Sequence, residues 1–259
     1  MTNNTLKINP EQEKEKILMF MRKTFLSQGI DHAVIGLSGG IDSAVSFYLL
    51  KEVLPPENIH VAHMYYFKSV LFDIEKSVLD AGIPEKNIHV SSIKSAVDEV
   101  IKLNDIGDDE NGKVRIGNIA ARMRMIVLFD LAKKHEALVV GTENHSEYLL
   151  SYFTRFGDQA SDIEPIEHLY KTQVYALAKY LKVPEMIIKQ NPTAGLWKGQ
   201  TDEGEFGFSY EEADKVLYLS VKEKLSDEEI IKKGFPNAAK ILRWRERNLF
   251  KHQTPYTLE

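Results

Sequence analysis

The chain has 259 residues, a formal net charge of −5, 43% hydrophobic and 27% charged residues, and no cysteine. That composition is typical of a soluble globular protein and long enough for one large α/β domain with a sizeable core. It excludes disulfides, thiolate metal sites, a cysteine nucleophile and any cysteine-dependent glutaminase within the chain, and its acidity argues against nucleic acid as the main partner.

No apolar run approaches the roughly 20 residues of a membrane span, so no membrane partner is expected. The polar start MTNNTLKINPEQEKEK lacks the apolar core of a secretory signal, which predicts a cytoplasmic location. The stretch NPEQEKEKILMFMRKTFLSQG places Ile17, Phe20, Met21 and Phe25 at helical spacing after Pro10, and it stops at Gly29. HAVIGLS then reads as a short buried strand, and DSAVSFYLLKEVL as a helix ending before Pro55-Pro56. NIHVAHMYY predicts a second strand and VLFDIEKSVLDAG a helix closed by Gly82. NIHVSSI predicts a third strand and KSAVDEVIKL a further helix. NDIGDDENGK reads as an acidic loop, Asn118 to His135 as a long helix, and ALVVGT as a fourth buried strand.

This alternation predicts an α/β fold, a doubly wound parallel sheet with helices on both faces. No internal repeat is present. The expected organisation is a single domain over 1–259: an N-terminal helix within 1–30, a parallel α/β core over 31–170, and a mainly helical part over 171–259. Loops are expected at NPTAGLWKGQTDEGEFG and KGFPN. Ligands of such sheets bind beyond the carboxyl ends of the strands. Three polar segments fall there: SGGIDS, MYYFKS and GTENHSE.

In GLSGGIDSAV a Gly-rich turn leads from strand to helix, aiming backbone N–H groups and the positive end of the helix dipole at one point. Ser38 and Ser43 add hydroxyls, and Gly39 and Gly40 let phosphate oxygens approach the backbone. Asp42 would repel phosphate unless it holds a cation, so Mg²⁺ is implied. The stretch is neither a Walker A loop nor a G-x-G-x-x-G turn. In GTENHSE, Thr142 and Glu147 sit beside that turn if the two strands are neighbours, and Glu147 completes the Mg²⁺ coordination begun by Asp42. A solvated or hydrogen-bonded role suits His145 better than metal ligation. Arg122 and Arg124, two apart on a helix, point in different directions, so at most one faces the phosphates. The loop SYFTRFGDQASD offers aromatics, Arg155, Asp158 and Asp162 for a large polar ligand with rings. Lys171 opens a helix from which its ammonium can reach phosphate.

The segments GLSGGIDSA, GNIAARMRM, VVGTENHSEYLLSYFTRFGD, LYKTQV, NPTAGLWKGQTDE and FGFSYEEAD occur in the order seen in the ammonia-dependent NAD⁺ synthetases. The chain resembles that family of the adenine-nucleotide α-hydrolase (N-type ATP pyrophosphatase) superfamily from about Asp31 to Tyr256. The resemblance implies the reaction of deamido-NAD⁺, ATP and ammonia to NAD⁺, AMP and pyrophosphate by a homodimer, with the dinucleotide site built across the interface. It implies that Gly36, Leu37, Ser38, Gly39, Gly40, Ile41, Asp42 and Ser43 hold ATP phosphates, with Asp42, Ser38 and Ser43 at the reacting centre. It matches Asp42 and Glu147 to Mg²⁺, and Thr142, Lys171 and Thr193 to ATP. Arg122, Arg155, Asp162, Lys251 and His252 are matched to deamido-NAD⁺, the last two as the family's basic pair in shuffled order.

The chain departs from the family pattern in three places. Arg155 stands where Lys is common, GDQASD replaces the usual Gly-Gly after GD, and the polar loop after the second strand is short, so no adenine contact is assigned there. Rival readings are another adenylating enzyme of the superfamily, tRNA-modifying or amidating, and a non-catalytic nucleotide-binding protein. A separate glutaminase supplying ammonia is compatible with all of these features.

Overall fold

Four strands, β1 (His32–Gly36), β2 (Ile59–Tyr65), β3 (Ile88–Ser92) and β4 (Ala137–Val140), form one parallel sheet in the order β3-β2-β1-β4. The computed structural model describes residues 6–67, 72–193, 199–253 and 255–258, with 72–75 described in backbone only. Residues 68–71 and 194–198 therefore lie outside the described residues. They carry part of the polar segment after β2 and the centre of NPTAGLWKGQTDE.

The two inner strands are β1 and β2, and β2 is buried through Met64, so it reads as a continuous apolar run. β3 is an edge strand whose last three residues are exposed. Ile35 of β1 is level with Val61 of β2 and with Val140 of β4. That register sets the turn after Gly36 beside the turn after Val140, as the site reading requires. A parallel bridge from Val140 to Ile163 adds a short chain segment outside β4.

Helices cover both faces. On one, α1 (Pro10–Gln28), α2 (Ile41–Leu50) and α7 (Lys171–Tyr180) pack Ile17, Met21, Phe47 and Leu177 against Ile35 and Val61. On the other, α4 (Lys94–Leu103) and α5 (Glu110–His135) pack Val97, Ala120 and Ala132 against Val34, Ala62 and Val139. Each of the larger side chains contributes about 1.5–3 kcal/mol by leaving water, and the alanines less. A helix α3 (Phe72–Asp80) lies between β2 and β3 in sequence. The C-terminal part is helical as expected. It comprises α8 (Glu185–Ile188), α9 (Asp202–Phe206), α10 (Tyr210–Val221), α11 (Asp227–Lys232) and α12 (Ala238–Asn248). Phe206, Tyr210, Leu217 and Ile241 there form a core continuous with Leu150 of α6 (His145–Leu150) and with Tyr170.

Three boundaries differ from expectation. The helix expected over DSAVSFYLLKEVL ends at Leu50, and residues 51–54 form a turn before Pro55. α5 begins at Glu110, eight residues before Asn118, because the Asp109 carboxylate caps it by accepting from the Gly112 N–H at 2.6 Å. A Cβ at Gly112 would collide with the carbonyl oxygen of Gly107, so only glycine lets the acidic loop fold this tightly onto the helix. The expected loop around TDEGEFG contains α9, capped by Thr201 Oγ1 accepting from Gly204 N–H at 3.2 Å.

Candidate functional site

The turn from β1 into α2 has the form of an anion cradle. Gly39 has φ +97, a backbone state open to glycine at little strain. Gly40 is the N-cap of α2 and has no side chain to cap the helix's first turn, while its own N–H donates to Ser38 Oγ at 3.2 Å. A Cβ at Gly40 would meet Ser38 Oγ at 3.3 Å. Ser43 Oγ donates to Gly40 O at 3.0 Å, accepts from Ser38 N–H at 3.3 Å and lies 3.2 Å from Ser38 Oγ, holding the loop on itself.

Beside this turn, Lys171 joins the two acids expected to hold a cation. Its Nζ donates to Asp42 Oδ2 at 2.6 Å and to Glu147 Oε1 at 3.0 Å, and its side chain is only 2% exposed. Asn144 Nδ2 donates to Asp42 Oδ1 at 3.0 Å, while Asn144 Oδ1 accepts from the N–H groups of Ser146 and Glu147, each at 3.1 Å. The Asn144–Glu147 capping box thus aims both acidic groups at one place. Burial works to discharge Lys171, but Asp42 and Glu147 outweigh it and hold the ammonium above its ordinary range. One cation among three carboxylates does not compensate all of them. Burial first, then Asp42 and Asp202 against the opposing pull of Lys171, push Glu147 up to about 8.

Lys171 is held from behind. The fully buried Asp214 of α10 accepts from Thr172 N–H at 2.9 Å, Thr172 Oγ1 at 2.7 Å and Ser146 Oγ at 2.5 Å. Ser146 Oγ in turn accepts from Lys171 N–H at 2.8 Å. A carboxylate at the N-terminus of α7 complements the helix dipole and pins α6, α7 and α10 together.

The glycine turn, Asp42, Glu147 and Lys171 line a cleft of about 1100 Å³ along the carboxyl end of the sheet. All eight residues of 36–43 line it, with Thr142, Glu147, Lys171, Thr193 and Lys251. Four expected site residues do not. Arg122 is exposed and donates from Nε to Arg155 O at 3.2 Å. The Arg155 guanidinium sits 5.3 Å from the Phe250 ring centre. Asp162 Oδ2 accepts from Val139 N–H at 2.8 Å, stitching the added segment to β4. His252 Nε2 lies 2.8 Å from Ser151 Oγ, behind the wall that Ser151 provides. His145 is hydrogen-bonded as expected, its Nδ1 2.9 Å from Glu167 O.

The arginine of the ARMRM pair that faces the cleft is Arg124, anchored by Nε to Met64 O at 3.1 Å. Sequence reasoning also missed Asn144 and Asp202. Asn144 has a signal, the N-x-x-E capping spacing. Asp202 has none, because its place in the cleft depends on how the C-terminal helices pack. Tyr152, one of the aromatics of SYFTRFGDQASD, lines the cleft. The structure carries no metal, yet the donor set suits one. Two carboxylates converge on a single cationic group, and an all-oxygen pair favours a hard ion such as Mg²⁺. Among the described residues no helix is long and apolar enough to cross a membrane.

This geometry has close parallels. The NH₃-dependent NAD⁺ synthetase of Fusobacterium nucleatum is 39% identical over 254 residues, 97% of each chain. The structure of the NMN synthetase from Francisella tularensis matches with TM-score 0.82 and 31% identity, covering 98% of this chain and 100% of that one. The NH₃-dependent NAD synthetase of Campylobacter jejuni, in complex with nitrate, matches with TM-score 0.79 at the same identity and coverage. The NAD synthase family model spans residues 13–255, which takes in the glycine turn, the Asp42–Lys171–Glu147 cluster and the C-terminal helices. With the match running through every element that builds the cleft, the chain belongs to the NAD synthase family.

Proposed function

We propose that the chain makes NAD⁺ by ATP-dependent amidation of deamido-NAD⁺ with ammonia, releasing AMP and pyrophosphate. It is a carbon–nitrogen ligase of NAD biosynthesis. The carrying observation is the convergence of the glycine turn after β1 and the GTEN turn after β4 on one cleft, in a chain of this family. A carboxylate is a poor acyl donor. One of its oxygens therefore attacks the α-phosphorus of ATP, the bond to the β-phosphate oxygen breaks, and pyrophosphate leaves. Ammonia then attacks the acyl carbon, a proton is lost from nitrogen, and AMP departs with the electron pair.

In this reading the backbone donors of 38–43 and the hydroxyls of Ser38 and Ser43 hold the pyrophosphate as its charge develops. Thr142 and Thr193, which line the same cleft, contact ATP. Lys171 supplies fixed positive charge, positioned by Asp214. Asp42 and Glu147 would hold Mg²⁺, which when bound neutralises phosphate charge. Lys251, whose Nζ donates to Ser151 O at 2.8 Å and Phe153 O at 2.9 Å, contacts the dinucleotide from the cleft wall.

Arg122 and Ile126, one turn apart on α5, are exposed outside the cleft. This surface supports a homodimer in which Arg122, Arg155, Asp162 and His252, none of which lines the cleft, serve a site completed by the partner copy. We read the whole chain as one functional unit working in the cytoplasm.

The test is the purified protein with ATP, Mg²⁺, ammonium and deamido-NAD⁺, following NAD⁺ and AMP. Equal yields of both, dependent on ammonium and not met by ammonia-free glutamine, are expected. AMP formation indifferent to deamido-NAD⁺, or amidation of the corresponding mononucleotide alone, would overturn the assignment. Light scattering showing a monomer would remove the dimer.

A further inference from the structure

At the opposite end of the sheet, three imidazoles meet. His60 is the second residue of β2, His89 the second residue of β3, and His135 the last residue of α5. Each offers a ring nitrogen, and these three atoms all lie within 4.8 Å of one another. His60 Nδ1 and His89 Nε2 are 3.4 Å apart. Two imidazoles bound tetrahedrally to zinc at 2.0–2.1 Å hold their nitrogens about 3.3–3.4 Å apart. Hydrogen bonding accounts for only part of the cluster, since His135 Nε2 is buried without a partner among the described residues. A buried ring nitrogen left this way costs about 1–3 kcal/mol, and imidazole is the commonest protein ligand for transition ions.

We infer that His60, His89 and His135 form a binding site for a divalent transition ion of zinc type, clasping β2, β3 and the end of α5 at the amino end of the sheet. The set is three neutral nitrogen donors with no carboxylate, which suits Zn²⁺, Ni²⁺ or Cu²⁺ and not Mg²⁺ or Ca²⁺. A fourth position is left to water or a small anion. The rings of His60 and His135 are stacked, 3.8 Å between centres and 21° between planes. Closure on an ion requires His135 to turn out of the stack, and its Nε2 has no hydrogen bond to lose in doing so. His60 is buried, while His89 and His135 are half-buried and open the site to solvent. Burial, the neighbouring imidazoles and nearby Lys86 and Lys134 keep the three rings uncharged near neutral pH, the form a metal needs. The site is separate from the cleft, so it acts on the fold and not on the reacting groups.

Equilibrium dialysis of the full-length, chelator-treated protein against Zn²⁺ tests this, with Co²⁺ as a spectroscopic probe. The expected result is one tight Zn²⁺ site and visible absorption bands of tetrahedral Co²⁺. Both should persist in Asp42→Asn, which removes one of the two carboxylates that converge in the cleft. His89→Asn and His135→Asn should each weaken that site by more than the ~10–100-fold that loss of an outer-shell partner costs. If one variant does not fold, the other carries the comparison. Wild-type-like Zn²⁺ binding in a folded His variant, or loss of the site in Asp42→Asn, overturns the assignment. So does the absence of any site at micromolar Zn²⁺.

Discussion

At the carboxyl ends of β1 and β4, Asp42, Glu147 and Lys171 form a cluster of charges joined through one ammonium. At the amino ends of β2 and β3, His60, His89 and His135 form a stack that carries none. Both sit at the rim of the same sheet and both are largely withdrawn from water. The difference lies in what supports them. The charged cluster has Asn144 on Asp42 and a buried Asp214 behind Lys171, so its members are held at fixed distances. The imidazoles have no carboxylate among them, only further rings such as His32 stacked on His60, and stay neutral. Burial in a low-dielectric rim is tolerated in two ways, by pairing charge or by discarding it, and only the first keeps charge available for phosphate chemistry.

The largest effect is expected from Asp42→Asn, which removes a charge from the paired end. Exchange of labelled pyrophosphate into ATP in the presence of deamido-NAD⁺ should fall by about 10³-fold or more, since lost phosphate-charge compensation is worth several kcal/mol in the transition state. Near-normal exchange would show that Asp42 is only structural.

Lys171→Met breaks the comparison on the stability side. It leaves Asp42 and Glu147 facing each other without a cation, and unfolding by urea at pH 8 should show a loss of about 3–5 kcal/mol. The loss should shrink at pH 5, where Glu147, already pushed up to about 8, takes a proton. A loss equal at both pH values would mean that the lysine contributes packing alone.

A second acidic pair flanks the cleft. Burial, then the Glu164 charge, pushes Glu143 up to about 10. Burial, then Glu167 and Glu147 against hydrogen bonds from Ser161 and the Glu143 N–H, push Glu164 up to about 8. The folded state therefore keeps protons that the unfolded chain releases above about pH 4.5. Stability should fall as pH rises from 4.5 toward 8, by at most about 1.4 kcal/mol per pH unit for each group. Glu164→Gln, neutral at every pH, should flatten that slope by roughly the share of one group. An unchanged slope would exclude Glu164 as its source.

The smallest effect belongs to the histidine end and has the opposite sign. Burial, then His135 and His89, lower His60 to about 4, so the unfolded chain takes up its proton first as pH falls below 6.5. Metal-free protein should lose about 1–2 kcal/mol between pH 6.5 and 4 from this group after allowance for screening. His60→Gln should remove that loss. The two ends are then separable by pH alone, the imidazoles failing in acid and the carboxyl pair in base.

Much of the architecture was legible from local pattern. HAVIG, NIHVAHMY and ALVV are short apolar runs between turn residues, and the helices among them have apolar spacing, so strand number and parallel topology followed. The start of α5 did not, because Asp109 and Gly112 act through a cap and a close approach that composition does not display. The glycine turn and Asp42 were legible because their chemistry is consecutive in the chain. Arg124 was not separable from Arg122, since both lie on one helix and only the packing of α5 on Met64 decides which one turns to the cleft.

The sequence by itself determined the α/β class, the absence of thiol chemistry, the glycine turn and the acids beside it. These depend on residue type and on neighbours within a few positions. Only the tertiary structure decided that Lys171, 129 residues from Asp42, lies between Asp42 and Glu147, that Asp214 holds it there, and that His60, His89 and His135 meet. Such contacts arise from strand register and helix packing. Their partners are far apart in the chain, and a polar side chain carries no local mark of the distant group that will compensate it.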